Sequence, residues 1–325
     1  MITSFDNKRI KNVISLLEKS KARREQDAFV IEGIKLFEEV PESRILEVFV
    51  AESYKGPTAK LDKLPSEVVK DDVFKKMTDV LAPQGILCVV RKEHYELKDL
   101  LTKKDGAPCF LVLETIQDPG NLGTIMRTAE GAGVSGVIMS SDTVDIYNPK
   151  TVRSTMGSIF RVPFVYCDDL ISSVKELKTS GVECYAAHLK GQKSCYDYDY
   201  AKPTAFFIGN EGNGLTDKMA DMADTYIKIP MEGKLESLNA GISAAILTYE
   251  AKRQRDRKIV QSVKYQFNNE ADLCPFGNYA CSSPLVWHLL VCGHRRRIFI
   301  RRECRCISGT QYRCLQQCCH KRVGR

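Results

Sequence analysis

Nowhere in the 325 residues does an apolar run approach the roughly 18–20 residues needed to span a bilayer, so no membrane role is expected. Met1 to Lys21 is mixed and charged and has no apolar signal-peptide centre, which makes a cytoplasmic location the expectation. Internal repeats and low-complexity linkers are missing too, which excludes solenoids and long disordered spacers. Among 13 cysteines no Cys-x-x-Cys pair occurs, so the usual zinc-ligand spacing is absent. Five of them (Cys88, Cys109, Cys167, Cys184, Cys195) are scattered among apolar neighbours, like the reduced, packed thiols of a cytosolic protein; the rest crowd the last segment. The body also lacks a basic excess. From Arg257 to Arg325 thirteen Lys and Arg face three Asp and Glu, so the net +7 leaves −3 for everything before. Any nucleic-acid surface on the body must therefore be a local patch.

What is present is a globular composition, 43% hydrophobic and 27% charged, on a chain long enough for two ordinary domains. Residues 1–103 read as a small alternating α/β unit. Ile10, Val13, Ile14 and Leu17 give Lys8–Glu18 a helical period. A strand at Phe29–Glu32, a helix at Gly33–Val40 and strands at Ile45–Ala51 and Gly85–Arg91 follow, with helical patterns at Lys55–Leu64 and Asp72–Leu81. A linker is expected near Leu101–Pro108. Beyond it, short apolar runs beginning at Phe110, Gly136, Val162, Glu183 and Ala205 each suit a strand buried on both faces. Helical segments at Asn121–Ala132, Pro149–Phe160, Asp169–Ser180 and Leu215–Ala223 separate most of them. This predicts an α/β domain over 104–256, a mostly parallel sheet with helices on both faces. Residues 257–325 are left as a Cys/Arg-rich extension, expected to be poorly ordered.

Three polar, glycine-bearing blocks stand at strand-to-loop junctions. In Ile116-Gln-Asp-Pro-Gly-Asn-Leu-Gly-Thr-Ile-Met-Arg127 a strand ends and a turn opens a helix. That turn has no Gly-x-Gly-x-x-Gly, and Asn121 can serve merely as a helix cap. Phe207-Ile-Gly-Asn-Glu-Gly-Asn-Gly214 holds three glycines, which let backbone approach a ligand closely, although such loops are more often plain turns. The third block runs from Ile229-Pro-Met through Ser237-Leu-Asn-Ala-Gly-Ile-Ser into a helix that Ser237 or Asn239 can cap. Between the first two lies Asn148-Pro-Lys-Thr-Val-Arg-Ser-Thr-Met-Gly-Ser-Ile-Phe-Arg161, where Pro149 suits a first helical turn. Its Asn148, Lys150, Arg153 and Arg161 read equally as RNA contacts or as solvated charges on a capped core helix.

Taken in order, the three blocks resemble the signature of the SpoU-type (TrmH-like) RNA 2′-O-methyltransferases of the SPOUT class, and the likeness covers roughly residues 5–255. The resemblance implies a C-terminal trefoil knot formed by Leu238–Arg255, a homodimer with each active site near the subunit boundary, and S-adenosyl-L-methionine as cofactor. It implies cofactor binding at Gly209, Asn210, Glu211, Gly212, Ile229, Met231, Ser237, Leu238 and Asn239. Catalytic positions fall at Asn121, Arg127 and Glu211, with Arg127 near the face of Asn121 and Gly123. A metal is not needed, because a sulfonium is already a good leaving group. Arg127 would help deprotonate the ribose 2′-hydroxyl or, since a guanidinium is effectively always protonated, stabilise the developing alkoxide. The opening Arg9-Ile-Lys-Asn, Lys19-Ser-Lys-Ala-Arg-Arg24 and Phe29-Val-Ile-Glu-Gly33 are similar to the family's fused substrate-binding domain. That likeness implies structured RNA, ribosomal RNA first, as the partner. Phosphate contacts are expected at Lys8, Arg9, Lys11, Lys21, Arg23, Arg24, Lys150, Arg153 and Arg161, which position the RNA without specifying its sequence. The alternatives are a transfer-RNA 2′-O-methyltransferase and a non-catalytic RNA-binding or assembly factor on the same fold.

Past Arg257 the resemblance stops. Cys274, Cys281, Cys292, His294, Cys304, Cys306, Cys314, Cys318, Cys319 and His320 offer zinc ligands at irregular spacing. The arginine clusters suit a basic RNA-binding extension, and a segment outside the fold suits the composition as well.

Overall fold

The computed structural model describes residues 1–57, 59–102, 106–234, 237–270, 288–292, 297–305 and 311–314, with side chains as far as Lys258. They fall into two compact units, Met1–Gln261 and Ser262–Arg325.

The larger unit begins with α1 (Lys8–Glu18), α2 (Ser20–Glu25), β1 (Ala28–Glu32), α3 (Ile34–Glu39), β2 (Ile45–Ala51), β3 (Ser66–Val69), α4 (Asp71–Lys76), β4 (Ile86–Arg91) and α5 (Leu97–Leu101). Helix α1 forms where its periodicity placed it: Ile10, Val13 and Leu16 are buried, and the Asn7 side chain caps it by accepting from the Arg9 N–H. The sheet order is β1-β4-β2-β3, with β4 antiparallel to both neighbours and β2 parallel to β3. The helical pattern at Lys55–Leu64 comes down to a single 3-10 turn at Leu61–Lys63, and the unexpected strand β3 follows it. Pro65 explains the stop, because it forces Leu64 into the extended region (φ −120°, ψ 137°).

Next come β5 (Cys109–Leu113), α6 (Pro119–Ala132), β6 (Gly136–Ser140), α7 (Pro149–Thr155), β7 (Phe164–Cys167), α8 (Leu170–Thr179), β8 (Glu183–Ala187), β9 (Lys193–Ser194), β10 (Thr204–Ile208), α9 (Asp217–Ala220), β11 (Thr225–Lys228) and α10 (Ala240–Glu270). They build a seven-stranded sheet, β7-β6-β5-β10-β8-β11-β9, in which every pairing is parallel. The expected parallel α/β architecture is therefore present. Strands β9 and β11 are additions, short and only partly buried, so they left no apolar run to read. The chain winds outward from β5 to β7 in one direction and returns through β8 and β10 on the other side. The crevice between the C-terminal ends of β5 and β10 is thus the topological switch point, where open α/β sheets bind ligands.

The expected linker near residue 103 does not separate two cores. Phe29, Ile31, Phe37 and Ile86 from the first part join Leu111, Leu113, Tyr147 and Phe164 from the second in one buried cluster. Helix α10 also runs on past residue 256, to Glu270. In the smaller unit β12 (His288–Cys292), β13 (Arg297–Arg305) and β14 (Gln311–Cys314) pair as an antiparallel sheet in that order, three strands that the composition did not suggest. The ligand candidates Cys274, Cys281, His294, Cys306, Cys318, Cys319 and His320 lie outside the described residues, as do the stretches between these strands for which poor order was expected.

Candidate active site

At the switch point the first block turns from β5 into α6. Asp118 caps α6 by accepting from the Asn121 N–H at 2.8 Å, which frees the Asn121 side chain to face the neighbouring loop. There Asn121 Nδ2 donates to Glu211 Oε1 at 2.8 Å, and Asn121 Oδ1 accepts from Asn239 Nδ2 at 2.8 Å. One residue from each of the three blocks thus forms a single polar chain. Asn239 also caps α10, its Oδ1 accepting from the Gly241 N–H at 2.9 Å. Glu211 accepts further from the main-chain N–H groups of Gln117 and Asp118, both at 3.2 Å. Partial burial is the strongest single influence on Glu211 and pushes its pKa upward. The Asn121 amide and the N–H groups of Glu211, Gln117 and Asp118 together outweigh it, so the net displacement is downward. Glu211 is therefore a carboxylate acceptor that orients Asn121, not a proton donor.

The loop after β10 is held by its own backbone. Asn210 and Gly214 exchange N–H···O=C bonds at 3.0 and 2.9 Å, and Asn210 Oδ1 accepts from the N–H groups of Gly212 and Asn213. At Gly209 a Cβ would sit 2.2 Å from the Gly214 carbonyl carbon, so only glycine allows this approach. Glu114 anchors the far end by accepting from the Thr216 N–H and hydroxyl. Beside this loop lies a cavity of about 280 Å³. Of the expected cofactor positions, Gly209, Asn210, Glu211, Gly212, Ile229, Met231, Ser237 and Leu238 line it; Asn239 joins the polar chain instead. Ala187, His188 and Leu189 also line it and were not anticipated. Their only signal was position, at the C-terminal end of an apolar strand later found beside the switch point.

Arg127 is exposed and does not line the cavity. Six residues at about 100° each carry it roughly 120° around α6 from Asn121, so it shares a face with Gly123 but not with Asn121. Among the described residues it makes no hydrogen bond or ion pair. It lies between two close approaches of α6 to α10: a Cβ on Gly241 would meet Thr124, and one on Gly131 would meet the Tyr249 hydroxyl. Ile242 and Tyr249 of α10 are 51% and 49% exposed.

The expected RNA cations divide. Lys8, Arg24 and Lys150 are exposed and unpaired among the described residues. Lys11 and Lys21 are exposed and hold only surface pairs with Asp6 and Glu25, which cost little to exchange. Arg23 is a correction: it is 2% exposed and bonded to Asp145 and to the carbonyls of Leu16 and Leu17, so it cannot reach a phosphate. Arg9 is held by Glu47 and Glu67, Arg153 by both oxygens of Asp79, and Arg161 by Glu130 and Glu39. These three are locally neutralised and are not free phosphate contacts. Among the described residues no group of three His, Cys, Asp or Glu side chains is arranged to hold a metal.

Comparison with known proteins gives this geometry its context. Residues 108–249 match the model of the SpoU rRNA Methylase family, and residues 7–88 match that of the MRM3-like substrate binding domain. The chain is 34% identical over 250 residues to the 23S rRNA (guanosine(2553)-2′-O)-methyltransferase RlmP of Bacillus subtilis, covering 76% of this chain and 97% of that one. Among solved structures, the SpoU methyltransferase AviRb from Streptomyces viridochromogenes superposes with a TM-score of 0.70 at 26% identity, covering 78% of this chain and 99% of that one. An AdoMet-bound rRNA methyltransferase from Sinorhizobium meliloti does so with a TM-score of 0.69 at 30% identity, covering 78% and 97%. With three sequence blocks joined at one switch point and a relative matched over nearly its whole length, the chain belongs to the SpoU rRNA methylase family.

Proposed function

We propose that this protein transfers the methyl group of S-adenosylmethionine to a ribose 2′-hydroxyl of ribosomal RNA. The observation that carries the reading is the Asn121–Glu211–Asn239 chain at the edge of the glycine-walled cavity. The cavity suits the cofactor: Ile208, Leu215, Ile229 and Leu238 offer apolar walls for a flat ring, and the close-packed Gly209 loop presents backbone to polar groups. When bound there, S-adenosylmethionine supplies an electrophilic methyl group on a sulfonium, whose sulfur leaves as a neutral thioether without acid assistance. Glu211, held anionic, fixes Asn121, and Asn121 and Asn239 keep the cavity edge in one arrangement. As a cationic donor the Arg127 guanidinium stabilises the developing alkoxide, while the proton leaves to water.

Arg127 does not reach this chain's own cavity, and Ile242 and Tyr249 leave apolar surface beside it. Both observations support a homodimer in which Arg127 serves a site at the subunit boundary. The knot, with α10 threading the preceding loop, belongs to the same reading, as does a cytoplasmic location; among the described residues no helix is long and apolar enough to cross a membrane. Structured RNA would be held through phosphates by Lys8, Arg24 and Lys150, with Lys11 and Lys21 alongside.

The test is radiolabelled methyl transfer from S-adenosylmethionine to ribosomal and transfer RNA, followed by nucleoside analysis. Label in 2′-O-methylribose of ribosomal RNA is expected. Label on a base refutes the chemistry, label confined to transfer RNA refutes the substrate, and no label supports the non-catalytic alternative.

A further inference from the structure

We propose that the pair formed by buried Arg23 and half-buried Asp145 is a positioning device that sets the RNA-holding helix α1 at a fixed place relative to the catalytic turn. The inference rests on the functional reading above.

Arg23 makes all of its polar contacts inside the protein. Nε donates to Asp145 Oδ2 at 2.9 Å and Nη2 lies 2.8 Å from the same oxygen as an ion pair, while Nη1 donates to the carbonyls of Leu16 and Leu17 at 2.7 and 3.1 Å. Those carbonyls belong to the last turn of α1, whose first turns carry Lys8 and Lys11. One guanidinium therefore clamps the end of α1 to a loop more than a hundred residues away. A planar fork bound to a carboxylate on one edge and to carbonyls on another fixes orientation as well as distance.

Asp145 in turn sits in the loop between β6 and α7, and that loop is bonded to the catalytic turn on both sides. Before Asp145, the Val144 N–H donates to the Ile116 carbonyl at 2.8 Å, the Thr115 hydroxyl to Asp142 Oδ2 at 2.8 Å, and Gln117 Nε2 to the Asp142 carbonyl at 2.9 Å. After it, Asp145 Oδ1 accepts from the Tyr147 N–H, Asn148 caps α7, and the Ser154 hydroxyl of α7 donates to the Pro119 carbonyl at 3.0 Å. Residues 115–119 are thus braced by the segment that Arg23 holds, and they lead directly into Asn121. None of the linking residues lines the cavity; they meet its wall only where the Thr115 carbonyl accepts from Asn210 Nδ2 and the Gln117 and Asp118 N–H groups donate to Glu211, so the pair acts first on where the ribose is presented and only secondarily on cofactor binding.

The experiment compares wild type, Asp145→Asn and the double variant Arg23→Met/Asp145→Asn, using tritiated S-adenosylmethionine and ribosomal RNA transcribed in vitro. Cofactor affinity, melting temperature, kcat, KM for RNA and the distribution of 2′-O-methyl among nucleotides are read. Asp145→Asn leaves the Arg23 charge buried without its partner. It is expected to lower the melting temperature, cut kcat about tenfold or more, spread methyl to neighbouring nucleotides and leave cofactor affinity within about twofold. The double variant removes the stranded charge while keeping an acceptor for the Tyr147 N–H, so its melting temperature recovers but its kcat and site fidelity do not. Recovery of all three in the double variant overturns the proposal, because the pair would then be only a stabilising contact. If wild type methylates no RNA, the functional reading fails instead. Amide hydrogen exchange then decides the linkage: faster exchange at 115–121 in Asp145→Asn supports it, and unchanged exchange there overturns it.

Discussion

Replacing Gly123 with alanine probes how closely α6, the helix that carries Asn121, must sit on α7. A Cβ at this buried position would lie 1.8 Å from Ser154 Oγ, 2.5 Å from its Cβ and 2.8 Å from its carbonyl carbon. The hydroxyl can rotate away only by giving up its bonds to the Pro119 and Thr151 carbonyls. The other two atoms belong to the helix itself, so α6 and α7 must part by roughly half an ångström to an ångström. Overpacking of that kind costs about 1–3 kcal/mol, here toward the upper end because a backbone atom is involved. Alanine returns up to about 1 kcal/mol in helix propensity, which leaves a net loss of about 2 kcal/mol. Asn121 is two residues away, and a misplacement of about 1 Å at a reacting centre costs on the order of 100-fold in rate. Urea denaturation and methyl-transfer kinetics read the two effects separately. Ser154→Gly, which removes both offending side-chain atoms, should recover part of the rate lost in Gly123→Ala. A Gly123→Ala protein that denatures at the wild-type midpoint and keeps full activity would refute the close-packing account of this site.

Arg127→Ala should leave stability within about 0.5 kcal/mol, because the side chain is exposed and makes no hydrogen bond or ion pair among the described residues, yet lower methyl transfer on the order of 100- to 1,000-fold; unchanged kinetics would sink its assigned role. If Arg127 serves the partner's site, mixed dimers of Arg127→Ala and Asn121→Ala chains should recover activity that neither homodimer has. Glu211 is held below its ordinary value of 4.5, so its contribution is complete above the unfolded pKa and disappears as pH falls through the folded one. Folding stability should therefore fall on that acid side more steeply in wild type than in Glu211→Gln, as urea denaturation across pH 3–6 would show. Burial pushes the thiols of Cys88 and Cys184 up to about 12 and those of Cys109 and Cys195 up to about 11, so native protein treated with iodoacetamide near pH 8 should be alkylated at half-buried Cys167 before any of these, by peptide mass mapping.

The elements legible in the sequence are those whose cause is local. Helix α1 carries its apolar stripe and its Asn7 cap within a dozen residues, and β5 and β10 are buried throughout, the first apolar along its whole length and the second from Ala205 on. Strands β3, β9 and β11 escaped because they are short and partly exposed, so they exist by pairing with neighbours rather than by pattern. Lys55–Leu64 shows the reverse error, a periodicity that a following proline overrules.

For the site, the three blocks could be read because glycine, asparagine and a carboxylate at strand ends are visible as residue types. What joins them depends on the sheet order, which sets β10 beside β5 and brings Glu211 and Asn239 to Asn121 across 90 and 118 residues. Arg23 makes the same point for charge. A basic run reads as a surface for phosphate until folding supplies Asp145, and burial then turns a presumed RNA contact into an internal clamp. Residue type and local period, set by backbone geometry over one or two turns, determined which segments coil, extend or bend and which chemistry they carry. Which side chains meet, and which charges are left to face solvent, was decided only by long-range packing, because a partner a hundred residues away leaves no mark on its neighbours in the chain.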